Sequence, residues 1–153
     1  MAKAKAKNQP KRKTRKKLRI AIIGAGGRAL MAHYPSLRDI PEAELVAVSE
    51  LDEQRLHKVC DEYKIKGRYS DYRQMLEREK PDAVYAIMPP HHLYDIAAEI
   101  IERGCHLFIE KPPAVTSEQV RQLALLAKKN KVITGVTFQR RFSPLIRQGK
   151  QLC

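Results

Sequence analysis

Residues 18–29 read Leu-Arg-Ile-Ala-Ile-Ile-Gly-Ala-Gly-Gly-Arg-Ala, and this stretch decides the fold that the sequence predicts. The apolar run 18–23 is typical of a strand, and the G-x-G-x-x-A pattern that follows it opens a helix. In this pattern Gly24 allows a tight turn, Gly26 lets the backbone approach a diphosphate, and Ala29 lets the helix pack closely on the strand. The stretch therefore predicts a strand, a turn and a helix that together bind a dinucleotide.

Two more residues of this turn are candidates for the same site. Gly27 belongs to the turn, and Arg28 is placed to add a contact to a phosphate. N–H groups at the start of a helix, together with the helix dipole, favour a bound anion. The alternative is a glycine turn without a ligand, which the strand before it and the helix after it make the less favoured hypothesis.

A carboxylate stands where a dinucleotide site needs one. Glu50 directly follows the second predicted strand, 45–49, and an acid at that place accepts hydrogen bonds from the adenosine ribose. A carboxylate repels a 2′-phosphate, so the sequence favours NAD, with NADP as the alternative because Arg55 is near enough to reach a phosphate. The other interpretation of Glu50 is a solvated charge at a strand end.

The rest of the chain alternates short apolar runs with helical periodicity. The first helix is expected from residue 26 to about residue 34, stopped or kinked at Pro35. Thr116 and Gln119 predict a capping box for the last long helix, whose expected buried face is Val120, Leu123, Ala124 and Ala127. The predicted strands are 18–23, 45–49, a weak one near 67–69, 83–88, 106–109 and 132–138. Such units predict an α/β fold, a doubly wound, mostly parallel sheet of about six strands with helices on both faces, as in a Rossmann domain.

The charge is concentrated at one end of the chain. The formal net charge is +13, and residues 1–17 carry nine Lys and Arg and no acid, which leaves a net charge of +4 for the rest. Residues 1–17 have too few apolar side chains to form a core, so we expect a disordered basic tail. The alternative is a contact with nucleic acid, because runs of Lys and Arg attract phosphates.

The cysteines and histidines do not suggest a metal site. Cys60, Cys105 and Cys153 are far apart and form no C-x-x-C pair, which favours reduced thiols in a cytoplasmic protein. His91 and His92 are adjacent and would point in different directions on a helix, so a shared metal is not expected. No apolar run approaches the roughly 20 residues of a membrane span, so no membrane partner is expected.

Four segments, in order along the chain, carry a resemblance to a known family. They are residues 18–26, Met88-Pro89-Pro90, Glu110-Lys111-Pro112 and residues 138–144, Phe-Gln-Arg-Arg-Phe-Ser-Pro. Together they resemble the Gfo/Idh/MocA oxidoreductases over about residues 17–150. Glu-Lys-Pro after the fifth strand is the most specific of the four.

The resemblance implies roles for particular residues. Met88, Pro89 and Pro90 would line the cofactor groove, and Glu110 would hydrogen-bond the ribose on the nicotinamide side. Lys111 would be the catalytic residue, near the nicotinamide and the substrate hydroxyl, where it tunes or relays the proton that leaves as hydride departs. The alternative is a structural Glu–Lys pair that closes a strand onto a Pro-Pro turn.

The resemblance also implies a second domain. Members of the family usually carry an α/β domain after the Rossmann domain, and it supplies most of the substrate contacts. We therefore expect residues 18–138 to form the dinucleotide-binding domain and residues 139–153 to begin a linker, with Arg140 and Arg141 near the cofactor or substrate at the domain border. Residues 1–153 alone are expected to bind cofactor with little or no dehydrogenase activity, since a sugar or polyol substrate needs the second domain. The oligomeric state is not predicted.

The main alternative function is a non-catalytic NAD-binding sensor, and a less favoured one is nucleic-acid binding through the basic tail. Two histidine positions bear on the site. The family commonly has a histidine where this chain has Leu93, and His92 is the candidate to replace it. His33 is expected to be structural, packed on the first helix.

Overall fold

The structure, a computed structural model, describes residues 16–152. The predictions made for residues 1–15 of the basic tail and for Cys153 concern residues outside this part. Within it, Cys60 and Cys105 are buried free thiols. Burial raises the pKa of the Cys60 thiol to about 11, so this group is protonated at neutral pH. No helix of residues 16–152 has the length and apolar character needed to cross a membrane.

Six strands form a single sheet in the order β3-β2-β1-β4-β5-β6. Every pair of neighbouring strands is parallel, which confirms the predicted doubly wound fold. The strands are β1 (Leu18–Ile23), β2 (Ala43–Ser49), β3 (Gly67–Tyr69), β4 (Ala83–Ala86), β5 (His106–Ile109) and β6 (Thr134–Val136).

Helices connect these strands. The first helical segment is a π-helical turn, Ala29–His33, that runs directly into α1 (Tyr34–Arg38). The other helices are α2 (Glu53–Glu62), α3 (Tyr72–Glu79), α4 (Pro90–Glu102), α5 (Ser117–Asn130) and α6 (Pro144–Leu152), with a 3₁₀ turn at Gln139–Phe142.

The helices lie on both faces of the sheet because β1 is buried on both sides. Ile20 and Ile22 pack with the residues of α1 and α2. Ala21 and Ile23 pack with α3, α4 and α5 on the other face. Side chains of a strand alternate between the two faces, so an unbroken apolar run is the expected sequence of a doubly covered strand.

Two details of the predicted helices differ in the structure. The first helix does not stop at Pro35 but continues to residue 38, because Pro35 lies in the first turn of α1, where its missing N–H removes no α-helical hydrogen bond. In α5, Leu123 and Ala127 are buried but Val120 is 38% exposed and Ala124 is exposed as well. This helix lies over the edge of the sheet and packs against α4, so only a narrow stripe is covered.

Two strands are shorter than predicted. β4 ends at residue 86 rather than at Met88. β6 keeps three of its seven expected residues, since β5 is its only neighbour and pairs through Leu107, Phe108 and Ile109. Residues 139–152, which are predicted to begin a linker, have no buried side chain.

The order of the strands positions the site. The chain moves outward in one direction from β1 to β3 and in the other from β4 to β6, so β1 and β4 are adjacent at the reversal point. Ligands of open α/β sheets bind in the crevice beyond the carboxyl ends of the strands at this point. The glycine turn after Ile23 and the segment after Ala86 form that crevice.

Candidate cofactor-binding site

The glycine turn has one position that only glycine can occupy. Gly24 has a φ of +105°, and a Cβ placed on it would lie 2.2 Å from the carbonyl oxygen of Ile87. The Tyr34 hydroxyl donates a hydrogen bond of 3.2 Å to the Gly24 carbonyl and so anchors the turn on α1. By contrast, a Cβ on Gly26 or Gly27 would meet nothing within 4 Å. The turn is therefore packed against Ile87 at Gly24 and has open space at Gly26 and Gly27.

Glu50 is joined to this turn rather than left in solvent. One carboxylate oxygen accepts a hydrogen bond of 2.7 Å from the Ala25 N–H, and the other accepts one of 3.2 Å from the Asp52 N–H. Asp52 in turn caps α2 by accepting from the Arg55 N–H at 3.1 Å. The interpretation of Glu50 as a merely solvated charge is wrong, because its carboxylate ties the end of β2 to the glycine turn.

A groove of about 540 Å³ lies at this crevice. Its lining combines the glycine turn and the end of β2 with the segment that follows β4. Of the predicted site residues it contains Gly24, Gly26, Glu50, Met88 and Pro89. Pro90 is not among its lining residues and instead begins α4.

His92 and Leu93, in the first turn of α4, lie in different environments. His92 lines the groove. Leu93 is fully buried in the core between α4 and the sheet. Since successive residues on a helix point in different directions, only one of the two can face the groove.

Gly27 lines neither this groove nor the second cavity. Apart from Pro90, the other predicted residues lie around that second cavity, which has a volume of about 900 Å³. It is open at the carboxyl ends of β5 and β6. Its lining residues are Arg28, Glu110, Lys111, Thr137, Phe138, Gln139, Arg140 and Arg141. Most of the residues predicted as one cofactor site are thus divided between two cavities.

Glu110 is the centre of the polar contacts in the second cavity. It is only 7% exposed. Its Oε1 accepts a hydrogen bond of 2.9 Å from Arg28 Nε and lies 2.8 Å from His33 Nε2. Because an ionised carboxylate only accepts hydrogen bonds, the proton of this second contact lies on His33. Its Oε2 accepts from the Lys111 N–H at 3.2 Å.

These donors keep the carboxylate ionised. Burial alone would raise the pKa of Glu110, but the hydrogen bonds from His33 and Arg28 outweigh it and lower the pKa to about 2. Both oxygens of the carboxylate are therefore occupied by donors of the chain itself.

Lys111 is held by its backbone and exposes its side chain. Its N–H is shared between Glu110 and the Thr137 hydroxyl, which lies 3.1 Å away. The Thr137 hydroxyl also donates to the Ile109 carbonyl at 3.2 Å. The side chain is exposed at the cavity, so a compact cation stands beyond the end of β5.

Sequence reasoning missed three residues that take part in these polar contacts. His33 was assigned to packing alone, although it contacts Glu110, and neither Thr137 nor Gln139 was singled out. With its amide in the orientation that satisfies both groups, Gln139 donates to the Thr137 carbonyl at 2.7 Å and accepts from Arg28 Nη2 at 2.9 Å. The signal for Gln139 was its place in the Phe-Gln-Arg-Arg segment.

The comparisons with known proteins agree with this geometry. The sequence model of the Gfo/Idh/MocA family, described as an oxidoreductase family with an NAD-binding Rossmann fold, matches residues 18–138. The chain belongs to this family. The match covers every strand of the sheet, from β1 to β6.

Curated members of the family include sugar and cyclitol dehydrogenases. D-glucoside 3-dehydrogenase of Escherichia coli K12 is 34% identical over 82% of this chain and 36% of its own length. Myo-inositol 2-dehydrogenase of Thermotoga maritima is 28% identical over 88% of this chain and 40% of its own length. The chain thus spans about two fifths of these relatives.

Solved structures give the same result. Myo-inositol 2-dehydrogenase from Lactobacillus plantarum superposes with a TM-score of 0.81 at 29% identity, over 90% of this chain and 41% of that one. Scyllo-inositol dehydrogenase from Lactobacillus casei, with bound NAD(H) and scyllo-inositol, has a TM-score of 0.82 at 24% identity, over 90% of this chain and 41% of that one, and supports the fold. Among residues 16–152 no group of three or more His, Cys, Asp and Glu side chains could hold a metal ion.

Proposed function

We propose that this chain binds NAD across the two cavities, with the adenosine half in the groove beside Glu50 and the nicotinamide half in the cavity beside Lys111. The observation that carries the proposal is the glycine turn. Gly24 is closed against Ile87, while the positions of Gly26 and Gly27 are open to a ligand. The first hydrogen bond of the helix runs from Leu30 N–H to the Gly26 carbonyl, so the amides before it are suited to a diphosphate.

The residues present fit the two halves of the cofactor. In the groove, Glu50 is suited to a ribose and Met88 and Pro89 offer apolar contacts. A carboxylate at this place favours NAD over NADP. In the second cavity Arg28, Lys111 and Arg140 supply positive charge on the nicotinamide side of the cofactor.

For the whole protein we propose an oxidation of a sugar or polyol hydroxyl. NAD, when bound, accepts the hydride from the carbon that carries the hydroxyl. Lys111, whose side chain is exposed at the cavity, would take up the hydroxyl proton as a neutral amine and then release it to water. Hydride transfer requires substrate and nicotinamide in near-attack geometry, so the part of the cleft in residues 1–153 should bind cofactor with little turnover.

The buried free thiols of Cys60 and Cys105 suit a reducing compartment such as the cytoplasm.

The experiment is a thermal melt of the wild-type chain and of Gly26→Val with NAD, NADP or neither. A saturating ligand at about 100 times its Kd stabilises a protein by about 2.7 kcal/mol. NAD should produce this stabilisation in the wild type and not in Gly26→Val, since the valine fills the space that the diphosphate needs. The free variant should melt close to the wild type because a Cβ on Gly26 meets nothing within 4 Å.

Gly149→Val is the matched control, because a Cβ on Gly149 also has open space but lies on α6. This variant should respond to NAD as the wild type does. A wild-type chain that shifts with neither cofactor would contradict the proposal. A larger shift with NADP than with NAD would overturn the role of Glu50 in cofactor choice.

A further inference from the structure

We propose that His33 is a positioning residue for the nicotinamide half of the site, which it orders by holding the Glu110 carboxylate against Arg28 and the Lys111 backbone. This inference rests on the proposed function, since it concerns the cofactor that the two cavities would bind. The carboxylate and its three donors come from two segments that are far apart in sequence, the first helix and the end of β5.

The His33 ring is held in place by packing. It is 7% exposed. Its centroid lies 6.1 Å from the Tyr85 ring and 6.2 Å from the Phe108 ring, both in edge-to-face geometry. Tyr85 and Phe108 are neighbours on β4 and β5, with centroids 4.7 Å apart. Tyr85 and Phe108 of the sheet therefore hold the His33 ring in place, with its Nε2 directed at Glu110.

The π-helical turn brings His33 and Arg28 to the same oxygen. In an α-helix, residues five apart are rotated by about 140°, so they lie on different faces. The turn Ala29–His33 is wider, with the Tyr34 N–H bonded to the Ala29 carbonyl five residues back. Residues five apart then lie nearly one above the other. π-Turns inside helices frequently occur at functional sites.

Without His33, Oε1 of the carboxylate would lose a buried donor. Arg28 would be its remaining partner at Oε1, and the Arg28 side chain is 45% exposed. The same carboxylate fixes the Lys111 N–H through Oε2. Loss of the His33 contact should therefore loosen Arg28 and Lys111 together, and both line the second cavity.

The groove around the adenosine half should be unaffected. None of Arg28, Glu110 and Lys111 lines it. ADP would occupy only that groove and the glycine turn, whereas NAD extends into the second cavity. The ratio of the ADP Kd to the NAD Kd therefore measures the contribution of the cavity that His33 organises.

The test is calorimetric titration of the full chain with ADP and with NAD, for the wild type, His33→Phe and His33→Gln. Phenylalanine keeps the ring packing and removes the donor, whereas glutamine keeps an N–H donor. His33→Phe removes a hydrogen bond to a charged group, so we expect it to lose about tenfold in NAD affinity. Its ADP Kd should stay within about twofold of the wild-type value. His33→Gln should recover most of the loss.

A double-variant comparison distinguishes positioning from a general role in folding. If His33 acts through Glu110, then His33→Phe should add no further loss of NAD affinity to Glu110→Gln. Should His33→Phe fail to fold, His33→Asn, whose amide is too short to reach Glu110, replaces it in both comparisons.

Two results would overturn the inference, namely an NAD Kd that is unchanged in His33→Phe, or NAD and ADP affinities that fall by the same factor. A wild-type chain that binds neither ligand would instead refute the proposed function, and this inference with it.

Discussion

Glu110→Gln should make the protein markedly less sensitive to acid. In the folded chain the pKa of Glu110 lies at about 2 against an ordinary value of 4.5, because the hydrogen bonds it accepts from His33 and Arg28 outweigh the effect of burial. Each pH unit between the folded and the ordinary pKa corresponds to about 1.4 kcal/mol. The ionised carboxylate therefore contributes about 3 kcal/mol to the free energy of unfolding, as an order of magnitude.

The direction of the pH effect follows from the lowered pKa. A group whose pKa is lower in the folded state stabilises the protein fully above its unfolded pKa and loses that contribution as the pH falls through the folded pKa. The Glu110 contribution should therefore be complete above about pH 5 and should disappear as the pH approaches about 2. Glutamine does not titrate, so the variant should lack this part of the loss.

The assay is urea unfolding of both proteins at several values between about pH 6 and about pH 2.5. The difference between the two unfolding free energies should shrink by up to about 3 kcal/mol across this range, and other acids cancel in the difference. Glu118→Gln is the control, since the Glu118 side chain is 59% exposed and pairs only at the surface. A difference that stays constant with pH would refute the reasoning, because it would mean that Glu110 titrates as an ordinary carboxylate.

Two further predictions concern Glu50 and the N-terminal cap of α5. Glu50→Gln, which keeps an acceptor for the glycine turn but removes the charge, should reduce the preference for NAD over NADP by about tenfold in titration calorimetry; an unchanged ratio of the two Kd values would show that the carboxylate does not select the cofactor. Thr116→Ala should lower the free energy of unfolding in urea by about 1 kcal/mol, because it removes the side-chain acceptor that caps α5 at 3.2 Å. Ser117→Ala, just inside the helix, is its control, and equal stability of the two variants would contradict the role of the cap.

The sequence predicts the frame of the site because the frame depends on local patterns. Gly24 lies where the turn needs a positive φ, and Glu50 lies directly after a strand, so both could be placed from their neighbours along the chain. The capping box of Thr116 and Gln119 is confirmed for the same reason, since its partners are three residues apart. Burial of Val120 was wrongly predicted because helical periodicity gives the apolar face but not how much of it a neighbour covers.

The contacts within the second cavity could not be predicted in this way. Glu110 and Lys111 were identified through the resemblance. Only the structure shows that they line a different cavity from the groove that contains Glu50. His33 lies 77 residues before Glu110. No local pattern joins two residues at such a separation. The π-turn also changes the helical periodicity, so the face of the helix on which His33 lies cannot be read from α-helical spacing.

The sequence by itself determined the order of strands and helices, the glycine turn and the family, because hydrophobic periodicity and short motifs act over a few neighbouring residues. The tertiary structure alone decided which partners the Glu110 carboxylate has. That outcome depends on β1, β4 and β5 lying side by side, which brings the first helix, carrying Arg28 and His33, to the end of β5. Parallel pairing of strands that are distant in sequence is a property of the whole sheet, and no segment of the chain contains it.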